Sequence, residues 1–169
     1  MIYLVGCNHG IQPHDEDALF GDSEEVKGQK AHFVRLVQRI VQERRVHFIG
    51  EEWGLPESSI AQRVADEVRI AWTNINTSLE DLDRMGIPRD YVHGEYGQDA
   101  KDRWNRQREE FMYARIAANR GAAENLLIVC GFRHIGPLHA LLGHINDEIE
   151  MVDYRELGWY RAGVFYEDD

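Results

Sequence analysis

Tyr3-Leu4-Val5-Gly6-Cys7-Asn8-His9 and, near the far end of the chain, Leu127-Ile128-Val129-Cys130-Gly131-Phe132-Arg133-His134 share one form: a short apolar run, then Gly-x-x-His. A third run, Val46-His47-Phe48-Ile49-Gly50, also closes on Gly and continues into Glu51-Glu52-Trp53. Continuous apolar runs of this length read as buried strands of a parallel sheet rather than half-exposed antiparallel ones. In such sheets the loops leaving the carboxyl ends of the strands form the ligand crevice. Three strand exits would thus deliver two imidazoles and a carboxylate to one edge, which is the ligand set of a two-His, one-carboxylate metal site.

Between these runs the apolar period is helical. A helix is expected from Asp22 or Ser23, both good N-caps, to about Arg45, with Phe33, Val34, Val37, Ile40 and Val41 facing the sheet. Pro56-Glu57-Ser58 opens a second helix running towards Trp72, and Thr77 with Glu80 makes a capping box for a short third one. The stretch 86–98 is rich in Gly and Tyr and is long for a connection, so it is either a lid or a surface loop. A long helix from about Asp99 to Arg120 follows, then a helix from about Gly136 to Gly143. Glu148 to Tyr154 alternates as an edge strand does, and Gly163 to Tyr166 reads as a last short strand. The whole, residues 1–169, reads as a single α/β domain: a mainly parallel sheet flanked by helices, its site at the carboxyl ends of the strands.

Composition narrows the function. The 169 residues carry 19 basic and 30 acidic side chains, a formal net charge of -11, and no basic block stands out. A phosphate-backbone partner is therefore not expected. The apolar runs are strand-sized, so no membrane partner is expected, and the first residues lack a signal-peptide pattern, which suggests a cytoplasmic protein. Cys7 and Cys130 suit a reducing compartment and read as small apolar strand-end residues, with a redox pair as the alternative if their strands are neighbours.

His9 and His134 are the leading candidates because a rigid strand aims each one, and the preceding Gly permits a tight turn. For each, capping the next helix is the competing role. Glu51 and Glu52 leave their strand in different directions, so one can bind metal while the other moves a proton; Glu51, closer to the strand, is favoured as the ligand and Glu52 as the relay, with the reverse assignment as the alternative. On the long helix Trp104, Phe111 and Ala118 form an apolar stripe that includes Arg108 and Arg115. A buried arginine needs a carboxylate or an anionic ligand, so Arg108 is read as an oxyanion or carboxylate clamp, with a salt bridge to Glu51 or Glu52 as the alternative. His14 and His93 lie in loops that could reach the sheet edge and are lesser candidates. His32, His139 and His144 lie on helices and His47 within a strand, where core or surface roles are expected.

These motifs resemble those of the TraB/Tiki proteins and, more distantly, the erythromycin esterases and haem-binding ChaN lipoproteins. Gly6-Cys7-Asn8-His9 matches the opening Gly-Thr-x-His, with Cys7 in place of Thr. Glu51 or Glu52 matches the Glu after the second strand. Arg108-Glu109-Glu110-Phe111-Met112 matches Arg-x-x-x-Met, and Val129 to Gly136 approximates Val-x-Gly-x-x-His-x-x-Gly. The resemblance implies an α/β fold and a metal-assisted hydrolase site. It does not fix the substrate, because the relatives include peptide cleavage, lactone hydrolysis and haem binding.

Residues and resemblance together suggest a metal-dependent hydrolase acting on a small molecule or peptide. His9, Glu51 and His134 would hold a divalent ion (zinc, manganese, iron or cobalt), and Glu52 and Arg108 would be catalytic. The alternative is a non-catalytic binding or regulatory protein that uses the same crevice for a haem-like or anionic ligand.

Overall fold

The three Gly-ended runs lie side by side at the centre of one parallel sheet. In the computed structural model, which describes residues 1–13, 23–55, 58–145, 148–158 and 160, the strands are β1 (Ile2–Cys7), β2 (Phe48–Glu51), β3 (Ala71–Asn74), β4 (Leu126–Gly131) and β5 (Ile149–Asp153). Their order is β3-β2-β4-β1-β5, and every pair is parallel. β4 is thus inserted between β1 and β2, so the first strand–helix–strand unit is parallel but its strands are not neighbours. All six residues of β1 and all six of β4 are buried, as strands covered on both faces must be.

Alternation along the strands divides the core. Tyr3, Val5, Ile49, Leu127 and Val129 pack under α1 (Glu24–Glu43) and α2 (Ile60–Val68). Leu4, Phe48, Leu126 and Ile128 face α4 (Gln98–Asn119) and α5 (Ile135–Leu142). A third cluster of Leu82, Ile87, Tyr91 and Trp104 joins α3 (Leu79–Met85) and the connection after it to α4. Cys7 and Cys130 sit on adjacent strands but in different core clusters, and both are free thiols. Burial pushes both thiols well above their ordinary value, which suits the apolar reading.

Several elements differ from the sequence reading. The second helix stops at Val68, because Arg69 takes the left-handed conformation (φ 60°), and the chain turns into β3, an edge strand hidden inside the expected helix. Trp72 and Thr73 favour a pleated surface, and pairing with β2 outweighs the helical continuation. The capping box of α3 lies one residue on, formed by Ser78 and Asp81 rather than Thr77 and Glu80. On α4 the buried stripe runs Trp104, Arg108, Met112, Ile116, with Glu109 beside it, while Ala118 is exposed and Arg115 is 40% exposed. Arg115 instead binds the Asn74 carbonyl at 2.9 Å and covers the Phe111 ring. The strand expected at 163–166, Pro56 and Glu57 at the expected opening of the second helix, and His14 all lie outside the described residues.

Candidate functional site

The exits of β1, β2 and β4 bring His9, Glu52 and His134 to one place, and α4 supplies Arg108. Glu52 is at its centre. Oε1 accepts a hydrogen bond from Arg108 Nη2 at 2.7 Å, and Oε2 accepts one from the Gly131 amide at 2.9 Å. His134 Nε2 lies 3.5 Å from Oε1 and His9 Nε2 3.7 Å from Oε2. Burial raises the Glu52 carboxyl, but His9, His134, Arg108 and the Gly131 amide outweigh it and hold the group down at about 2. Glu52 is therefore a fixed negative charge and a poor proton acceptor near neutrality.

Glu51 points the other way. Strand alternation turns it to the α1/α2 face, where it accepts hydrogen bonds from Ser59 Oγ, Trp72 Nε1 at 2.9 Å and Gln12 Nε2 at 3.0 Å. It is fully buried, and burial raises its carboxyl to about 7 against the pull of those donors. The carboxylate that stands between the two histidines is thus Glu52, and the Glu51 reading placed the wrong member of the pair there. Alternation predicts that the two diverge; only the packing of α2 and α4 shows which way.

Both imidazoles are held from behind. His9 Nδ1 meets Gln12 Oε1 at 2.7 Å, and His134 Nδ1 meets Glu109 Oε1 at 2.9 Å. Each ring therefore gives its Nδ1 hydrogen to an acceptor and turns Nε2 towards Glu52. His134 precedes α5 without capping it by its side chain, and is 3% exposed. His9 is 40% exposed and faces a cavity of about 650 Å³. The glycines make this closeness possible. A Cβ on Gly131 would stand 3.0 Å from His9 Nε2, and one on Gly6 would collide with the Ile135 side chain.

Arg108 is fully engaged with the protein. Nε donates to Thr77 Oγ1 at 3.2 Å, Nη2 also to Asn76 Oδ1 at 2.9 Å, and Nη1 to the Tyr91 hydroxyl, with His134 Nε2 at 3.5 Å from Nη1. Together with Glu52, these occupy all five N–H directions of a guanidinium. The salt bridge weighed as the alternative for Arg108 is the one present, with Glu52 as partner. To clamp an oxyanion, Arg108 would have to release one of these groups.

The donor set can be tested against a divalent ion. The two Nε2 atoms and the Glu52 oxygens converge, but the guanidinium already holds the shared carboxylate and lies beside His134. Among the described residues, no group of three His, Cys, Asp or Glu side chains is spaced to hold an ion. In this arrangement Arg108 Nη2 takes the Glu52 oxygen that lies nearest His134 Nε2.

Sequence reasoning missed Gln12, Glu109, Tyr91 and Asn76. Two signals were present: Gln12 lies one turn beyond His9, and Glu109 adjoins Arg108 on α4. The 86–98 connection covers the cavity with Tyr91, Val92 and His93, anchored where Tyr91 and Tyr96 meet Trp104 edge-on at 6.3 and 4.9 Å. His93 lines this cavity, while His47, His139 and His144 are exposed away from it. No described helix is long and apolar enough to cross a membrane. No family model, curated protein or solved structure matches the chain.

Proposed function

We propose that the chain is a hydrolase of carbonyl compounds (an ester, a lactone or a peptide) in which His9 is the general base. The observation that carries this reading is the placement of His9 Nε2, at a cavity and 3.7 Å from a carboxyl group held down at about 2. Nε2 takes a proton from a water in the cavity as the water oxygen bonds to the carbonyl carbon. Collapse of the tetrahedral oxyanion breaks the carbonyl's bond to its leaving oxygen or nitrogen, which receives the proton from the imidazolium. Glu52 stabilises that imidazolium, and Arg108 keeps Glu52 charged and in place. The family resemblance supports a hydrolase and adds nothing about substrate.

The cavity favours an anionic substrate. Although the chain is acidic overall, the described side chains lining this space include Arg108, Arg133 and Arg155 against one carboxylate, Glu52. Arg155 is bound to Asp153 and Arg108 to Glu52. Arg133 is exposed where this cavity meets a second one of about 730 Å³, a position from which it can meet a substrate carboxylate or phosphate.

A second reading keeps a divalent ion on His9, His134 and Glu52. It is favoured by the two Nε2 atoms lying 3.5 and 3.7 Å from Glu52 oxygens, with both Nδ1 atoms held by acceptors that fix the rings, as metal-ligating histidines commonly are. This reading requires Arg108 to release Oε1.

The test is a screen of chromogenic esters, lactones and peptides with wild type, His9→Gln and Glu52→Gln, before and after chelation, with metal content measured. The proposal expects turnover that survives chelation and falls about 100-fold or more in each variant. Turnover lost on chelation and restored by one divalent ion would favour the metal reading. Ligand binding without turnover would favour a binding protein.

A further inference from the structure

We infer that Gln12, fixed by Glu51, is a positioning residue that holds His9 in the tautomer with hydrogen on Nδ1. The tautomer follows from geometry alone, and its catalytic consequence rests on the function proposed above.

Gln12 is completely buried. Its Nε2 lies 3.0 Å from Glu51 Oε1 and 3.1 Å from the backbone carbonyl of Glu52. The Glu52 backbone carbonyl only accepts hydrogen bonds, and Glu51 likewise only accepts once it is ionised, above about pH 7. The amide must therefore point its NH2 at both, which leaves Oε1 facing His9 Nδ1 at 2.7 Å. An amide oxygen only accepts, so the imidazole hydrogen sits on Nδ1, and in the neutral ring Nε2 keeps its lone pair. Turning the amide over would set its oxygen against two acceptors and leave buried donors unmatched, an arrangement that protein interiors avoid.

Glu51 is pinned in turn. Ser59 caps α2 by accepting from the Gln62 amide at 2.9 Å and gives its hydroxyl hydrogen to Glu51, and Trp72 Nε1 donates from β3 at 2.9 Å. The Ile60 amide donates to the Gln12 carbonyl at 2.8 Å, which ties the turn after β1 to the start of α2. The second carboxylate of the Glu51-Glu52 pair therefore acts at a distance: it orients the amide that orients the base. Such an arrangement holds the ring's orientation and lone pair before substrate arrives, and removes the need to reorganise them during reaction.

The test reads the tautomer of His9 by heteronuclear NMR of protein carrying 15N-labelled histidine, at a pH where its imidazole spectrum no longer changes. Wild type should show hydrogen on Nδ1 and a bare Nε2. In Gln12→Met, which keeps length but removes the acceptor, the ring should shift towards the Nε2–H form. If that variant turns over substrate, kcat should fall about 100-fold with KM little changed. Hydrogen on Nε2 in wild type would overturn the inference, and this measurement needs no variant to fold. An unchanged tautomer in folded Gln12→Met would overturn it as well. A wild type with the Nδ1–H tautomer and no turnover on any substrate would leave the positioning intact and count only against the hydrolase reading.

Discussion

Arg108 and Glu52 form a buried ion pair, Nη2 to Oε1 at 2.7 Å, with side chains 10% and 2% exposed. This pair joins α4 to the exit of β2, so the same contact that charges the site also locks a helix onto the sheet. Removing one partner of a buried pair strands the other charge. Arg108→Met should therefore lower unfolding free energy by about 3–5 kcal/mol, and adding Glu52→Gln should recover part of that loss. Urea unfolding of the two singles and the double checks this. A loss well under about 1 kcal/mol in Arg108→Met would mean that the pair is not what holds Glu52.

The two glutamates should leave opposite marks on the pH dependence of stability. Glu52 is held at about 2, below its ordinary 4.5, so its contribution is present above pH 4.5 and is lost as pH falls towards 2. Glu51 is raised from 4.5 to about 7, so the folded chain holds a proton that the unfolded chain has released. Its contribution is present below pH 4.5 and is lost as pH rises through 7. That loss is on the order of 3 kcal/mol for a shift of this size. Denaturant unfolding between pH 4.5 and 8 should show the decline in wild type and a smaller one in Glu51→Gln. Identical slopes would show that Glu51 titrates normally.

Two glycines in matching motifs should fail differently. Gly6→Ala drives a methyl into Ile135 in a packed core and should cost about 1–3 kcal/mol of stability. Gly131→Ala meets His9 Nε2 at 3.0 Å and Glu52 Oε2 at 3.5 Å, at the edge of the cavity. It should cost less stability but displace the base, lowering turnover about tenfold or more because small misplacements of reacting groups are expensive. Thermal unfolding alongside turnover separates the two; equal losses in both properties would argue against distinct roles.

Arg133 should act on recognition and not on chemistry. If it meets an anionic group, Arg133→Ala should raise KM for a carboxylate-bearing substrate about tenfold, the scale of one lost charge-assisted hydrogen bond, with kcat unchanged. A neutral analogue of the same substrate should be indifferent to the substitution. Steady-state kinetics on the matched pair decides this, and equal effects on both analogues would remove Arg133 from recognition.

Much of the frame was legible in the sequence. Apolar runs too continuous for a half-exposed strand implied burial on both faces, and parallel pairing followed from the helical periods between them. Strand polarity then placed His9, His134 and the acidic pair at one edge without knowledge of strand order, and the burial of Arg108 on α4 implied a carboxylate partner. These inferences rest on local periodicity, which residue spacing encodes directly.

What only the tertiary structure decided is non-local. That β4 lies between β1 and β2 is set by pairing partners far apart in the chain. That Glu52 and not Glu51 faces Arg108 depends on which helices cover which face, since alternation fixes only that neighbours diverge. The hidden strand β3 exists because β2 offers it an edge, although its residues continue a helical pattern. For Gln12 the sequence offered only its place one turn beyond His9: an amide takes its role from the acceptors around it, and Glu51, the Glu52 carbonyl and the His9 ring meet there only when distant segments of chain fold together.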